Sequence, residues 1–125
     1  MKIAIFGTGG VGGYFGGRLA QSGQDVTFLA RGKHLNAIRE NGLQIESADG
    51  NFTIQPAKAT DSTESIGAVD LILLATKAWQ LEDAIAQMQP LMGEKTVILP
   101  LLNGMEHMDK LIAAFGTQHV IGGLC

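Results

Sequence analysis

An α/β domain built on a doubly wound parallel sheet is what this sequence predicts, and three observations carry that reading. Four short apolar runs, KIAIF (2–6), DVTFLA (25–30), DLILLA (70–75) and TVILPLL (96–102), have the length and the Ile, Val and Leu content of strands covered on both faces. Helical patterns separate them, and alternation of strand and helix produces a parallel sheet with helices on both sides. Glycine is concentrated early. Eight of the 17 glycines fall between Gly7 and Gly23, interleaved with apolar residues, which excludes a flexible linker.

The elements follow in order. After the first strand, Val11–Ser22 reads as a helix with Gly23 just past its end. The second strand leads to a weaker helical segment from about His34 to Asn41, followed by Gly42. Between Gly42 and Pro56 the period changes: GLQIES and NFTIQP alternate around Ala48-Asp49-Gly50, the pattern of a β-hairpin insertion. Residues 57–69 are expected to form a strand and a short helical turn ending at Gly67. Leu81, Ala84, Ile85 and Met88 keep helical spacing until Pro90 and Gly93 close the segment. Met108, Leu111, Ile112 and Phe115 repeat that spacing before Gly116, and a final strand is expected over roughly His119 to Leu124.

Bulk properties narrow the function. A chain of 125 residues is the size of one domain, read here as residues 1–125 without an internal linker or repeat. A net charge of −3 with thinly spread basic residues predicts no nucleic-acid partner. No apolar run approaches the ~20 residues of a membrane span, and MKIAIFGTGG has too short an apolar segment for a signal peptide. One cysteine, Cys125, excludes an internal disulfide framework and suits a reducing compartment, so a soluble cytoplasmic protein is expected.

In open α/β sheets, ligands bind at the carboxyl ends of the strands. Here the first strand delivers Gly7-Thr8-Gly9-Gly10-Val11-Gly12, the second Arg31, the third Thr76-Lys77 and the fourth Asn103-Gly104. The first of these is G-x-G-x-x-G between a strand and a helix, the Rossmann fingerprint. Gly7 permits the tight turn, Gly9 lets backbone approach a diphosphate, and Gly12 lets the helix pack closely, so the diphosphate rests on the helix N-terminus. Gly13, Gly16 and Gly17 read as packing residues.

Arg31 stands 19 residues beyond Gly12, where an NAD site carries an acid for the ribose. A guanidinium there favours a 2′-phosphate instead, because its fork matches phosphate oxygens, so NADP is expected over NAD. The competing reading is a solvated loop arginine. Lys33 and His34 are expected to face solvent. Lys77 could lie near the nicotinamide or a carboxylate substrate, or be an exposed helix-start lysine. Asn103 could bond the nicotinamide carboxamide or the substrate, or be a turn residue. Trp79 reads as packing. Glu82, Asp83, Glu106 and Asp109 fit the acidic first turns of helices. His107 and His119 lack partners at ligand spacing, so no metal site is predicted.

MKIAIFGTGGVGGYFGGRLAQSGQDVTFLARGKHLNAIRENGL, DLILLATKAWQ and PLLNGMEHMDKL together resemble the ketopantoate reductases (2-dehydropantoate 2-reductases) over the whole chain. The resemblance implies NADPH-dependent reduction of 2-dehydropantoate to pantoate, on the route to pantothenate and coenzyme A. It implies that Gly7, Thr8, Gly9, Gly10, Val11 and Gly12 hold the diphosphate and Arg31 the 2′-phosphate. Lys77 and Asn103 then match positions near the nicotinamide, with Asn103 also near the substrate. The family's second, mostly helical domain carries the lysine general acid and the substrate-binding groups. This sequence ends at IGGLC, where the nucleotide domain of the family finishes, so no residue here is expected to be catalytic. NADPH binding without useful turnover is the expectation, with a 2-oxo acid substrate held through the absent domain. An apolar edge near Leu124 would favour self-association. Two other readings remain: an NADP-dependent reductase of another 2-oxo acid, and a nucleotide-sensing regulatory module like those that gate potassium transport. The second usually carries an acid where Arg31 stands.

Overall fold

The computed structural model describes residues 1–7, 10–45, 50–55, 57–75, 81–101 and 106–121, with residues 10, 11, 106 and 107 as helix backbone only. Its elements are β1 (Lys2–Phe6), α1 (Gly10–Gln21), β2 (Asp25–Leu29), α2 (Gly32–Asn41), β3 (Leu43–Ile45), β4 (Phe52–Ile54), β5 (Lys58–Thr60), β6 (Leu71–Leu74), α3 (Leu81–Met88), β7 (Val97–Pro100) and α4 (Glu106–Phe115). Five strands form one parallel sheet in the order β5-β2-β1-β6-β7. The chain therefore runs from β1 outward to one side, then returns and continues outward on the other side of β1. That reversal is the doubly wound Rossmann arrangement, and it leaves a crevice between the ends of β1 and β6.

Alternation along each strand feeds two separate cores. Ile3 and Ile5 of β1 join Val26, Phe28, Leu35, Ile38 and Leu73 on the face covered by α1, α2 and the hairpin. Ala4 and Phe6 join Ile72, Leu74, Leu81, Met88, Ile98 and Leu111 on the face covered by α3 and α4. Both faces of β1 are thus dry, which explains an uninterrupted apolar run. On the polar side, Thr96 is buried just before β7. Its hydroxyl donates to the Val69 carbonyl at 2.5 Å and accepts the Gly93 N–H at 2.7 Å, tying the entries to β6 and β7 together.

The hairpin β3–β4 is antiparallel and makes its own two-stranded sheet. It packs on α1 through consecutive glycines. A side chain at Gly16 would meet Phe28 and Ile5 of the sheet core, and one at Gly17 would meet Ile45 and Phe52 of the hairpin. The helix is pinched between two layers, so the packing role expected of these glycines holds. The Arg18 guanidinium then lies 4.3 Å from the Phe52 ring centroid and 5.4 Å from that of Tyr14. At the helix end, Gly23 N–H bonds the Ala20 carbonyl and Gln24 N–H the Leu19 carbonyl, with Gly23 at φ +94°: a Schellman stop.

Some boundaries moved. Helix α2 begins at Gly32, two residues earlier than its apolar pattern, because Gly32 at φ +56° lets the chain turn into the helix directly after Arg31. The expected strand and short helical turn of the 57–69 segment are present: after β5, the turn at 64–66 closes with the Ile66 and Gly67 N–H groups both donating to the Thr63 carbonyl and Gly67 at φ +75°. A shallow depression of about 520 Å³ remains there, and its cations are engaged: Lys2 Nζ donates to the Ile66 carbonyl, Lys58 pairs with Asp25, and Arg39 Nε donates to the Ala59 carbonyl. The expected last strand is corrected in part. Thr117–His119 is a 3-10 turn, in which the His119 Nδ1–H donates to the Thr96 carbonyl at 2.7 Å. Among the described residues Val120 reaches the sheet through a parallel bridge to Ile98, and the Ile121 N–H donates to the Ile98 carbonyl at 3.0 Å; the remainder of that segment, 122–125, lies outside the described residues.

Candidate cofactor site

The carboxyl edge of the sheet is sharply defined. Ala75 N–H donates to the Phe6 carbonyl at 2.8 Å, Leu101 N–H to Leu74 at 2.8 Å and Ala30 N–H to Thr60 at 3.1 Å. The ladder thus runs at least one residue past β2, β6 and β7, with Gly7, Arg31 and Ala75 next to the crevice or beside it. Helices α1 and α2 both begin at this edge, directing N-terminal N–H groups and positive dipole ends toward it.

At the crevice, Gly7 sits at φ +91°, a left-handed conformation that glycine adopts without strain. A Cβ built at Gly12 would stand 1.9 Å from the Gly7 carbonyl oxygen and 2.9 Å from the Ala75 Cβ. Helix α1 therefore touches the turn and the end of β6 by backbone alone, and any side chain at Gly12 would push the helix start away. Such a cradle fits a diphosphate: backbone close by, a helix N-terminus behind it and no side chain at Gly7 or Gly12. Ala75 is the site residue that sequence reading missed. Its signal was present, a small residue directly after an apolar strand, but only the packing against Gly12 gives it meaning.

Arg31 occupies the position before α2, with extended backbone at φ −135° and ψ 157°. Its carbonyl accepts the Leu35 N–H, while its side chain makes no capping bond. The side chain is exposed, and among the described residues it has no hydrogen-bond or ion-pair partner. Lys33 and His34 are exposed in the first turn of α2, as expected. Gly10 and Val11 lie in the first turn of α1. Thr8, Gly9, Lys77, Trp79 and Asn103 fall outside the described residues, so the structure brings together Gly7, Gly12 and Arg31 of the expected set.

The family model for ketopantoate reductase PanE/ApbA matches residues 3–125. The chain belongs to the ketopantoate reductase family. An uncharacterized oxidoreductase, YkpB, from Bacillus subtilis (strain 168) is 43% identical over 125 residues, covering 100% of this chain and 41% of that protein. The crystal structure of 2-dehydropantoate 2-reductase from Geobacter metallireducens GS-15 superposes with a TM-score of 0.90 at 37% identity, over 100% of this chain and 42% of that one. A ternary structure of D-mandelate dehydrogenase with NADH and anilino(oxo)acetate gives a TM-score of 0.84 at 34% identity, over 96% of this chain and 39% of that one. The chain thus spans about two fifths of the length of the relatives it matches. Among the described residues, no helix of this ketopantoate reductase domain is long and apolar enough to cross a membrane.

Proposed function

We propose that these residues form the NADPH-binding part of a 2-dehydropantoate 2-reductase, which converts 2-dehydropantoate to pantoate on the route to pantothenate. The observation that carries the cofactor reading is the pairing of the close backbone approach at Gly7 and Gly12, against the small side chain of Ala75, with an exposed Arg31 guanidinium on the same sheet edge that has no partner among the described residues. When bound, the nicotinamide cofactor supplies the hydride that reduces the C2 carbonyl. The chain's own part is positioning. The backbone of Gly7 and the first turn of α1 hold the diphosphate, while Arg31 holds the 2′-phosphate through charge-assisted bonds worth on the order of 1.5–3 kcal/mol each. Lys77 and Asn103 are proposed to lie toward the nicotinamide, with Asn103 also near the substrate.

A substrate panel tests the reaction. Reduction of 2-dehydropantoate with NADPH should exceed that of other 2-oxo acids by kcat/KM, and equal or greater turnover of an aryl 2-oxo acid would overturn the substrate assignment. That second reading has one specific support, the D-mandelate dehydrogenase likeness. The regulatory-module reading has none, since the relatives named above are oxidoreductases or belong to a reductase family.

A further inference from the structure

The corner beside Arg31 contains an acid that the cofactor fingerprint does not include. Strand β5 is the edge neighbour of β2, with Leu29 opposite Thr60. The Ala30 N–H bond to the Thr60 carbonyl carries the pairing one step further and sets Asp61 opposite Ala30 in a parallel register. Neighbouring strands lie about 4.8 Å apart, so Asp61 stands beside the residue that precedes Arg31. The turn that follows is held locally: Ser62 N–H donates to Thr60 Oγ1 at 3.1 Å, and Ser65 Oγ donates to the Ser62 carbonyl at 2.7 Å. Those bonds fix where Asp61 sits without using its carboxylate. Asp61 is exposed, and among the described residues its side chain has no hydrogen-bond or ion-pair partner, Arg31 included.

We infer that Asp61 sets the degree of NADPH over NADH preference, acting as a negative charge beside the place where Arg31 would hold a 2′-phosphate. This inference rests on the cofactor reading above and deepens it. A 2′-phosphate held at Arg31 would carry close to two negative charges in the neighbourhood of Asp61 and would be repelled by it, whereas a ribose 2′-hydroxyl would not. The acid that an NAD site places at the end of its second strand is here displaced by one strand, where it weakens discrimination without reversing it. A site so balanced belongs with a family likeness that includes a dehydrogenase solved with NADH.

The test is a parallel titration with NADPH and NADH of the wild type, Asp61→Asn, Asp61→Glu and Arg31→Ala, at low and at high salt. Asp61→Asn should tighten NADPH by about three- to tenfold at low salt, leave NADH unchanged, and lose most of that gain at high salt. Asp61→Glu should keep the wild-type ratio. If Asp61→Asn leaves the ratio unchanged while Arg31→Ala weakens NADPH, the inference on Asp61 fails and the cofactor reading stands. If Arg31→Ala also leaves NADPH affinity unchanged, both fail.

Discussion

The crevice between β1 and β6 and the corner where β2 meets β5 share one edge of one sheet, yet they are built on opposite terms. The crevice is defined by what it lacks: Gly7 at positive φ, no room for a Cβ at Gly12, and a small residue at Ala75. The corner is defined by uncommitted charge, with Arg31 and Asp61 both exposed and spent on no partner among the described residues. Backbone contact tolerates no substitution, while exposed charge is cheap to change. On the proposed reading, the comparison teaches that one region would decide whether a dinucleotide can be held and the other which one.

The harshest way to break this division is Gly12→Ala. A methyl group 1.9 Å from a backbone oxygen forces the start of α1 off the sheet. The expected loss is about 3 kcal/mol in denaturant unfolding, together with loss of both NADPH and NADH binding. Equal weakening of the two cofactors is the sign that the crevice, and not the corner, has been damaged. Arg31→Ala should act on the corner alone: NADPH affinity falls by about one to two decades, while NADH affinity and unfolding stay unchanged.

A third substitution separates stability from binding. Thr96 lies at the opposite edge of the sheet, where Thr96→Val strands the Gly93 N–H and the Val69 carbonyl. Urea unfolding should show a loss of about 1–3 kcal/mol with the NADPH-to-NADH ratio intact. The smallest effect is expected of Arg18→Ala, which removes a guanidinium from the Phe52 and Tyr14 rings. About 0.5–1 kcal/mol should be lost, with cofactor affinities unmoved.

Much of this was legible in the chain itself, for reasons that differ by residue. The four buried strands announce themselves because both faces of the sheet are dry, so apolar runs such as Lys2–Phe6 are unbroken. Gly7 and Gly12 were legible because their spacing follows from the geometry of a strand-to-helix turn. Arg31 was legible only by contrast with the acid expected there. Three features resisted. Ala75 looks like any residue after a strand until Gly12 packs on it. The start of α2 hid behind Gly32, a poor helix former whose positive φ serves the turn. Asp61 is invisible to motif reading, because strand order, not chain spacing, brings it beside Arg31.

The most direct test of the central claim is a fluorescence titration of the protein with NADPH and with NADH, repeated with Arg31→Ala. The division of labour described above predicts tighter NADPH binding that the substitution abolishes, with NADH affinity unaffected. Equal affinities for the two cofactors, unchanged by the substitution, would make Arg31 a bystander and contradict it.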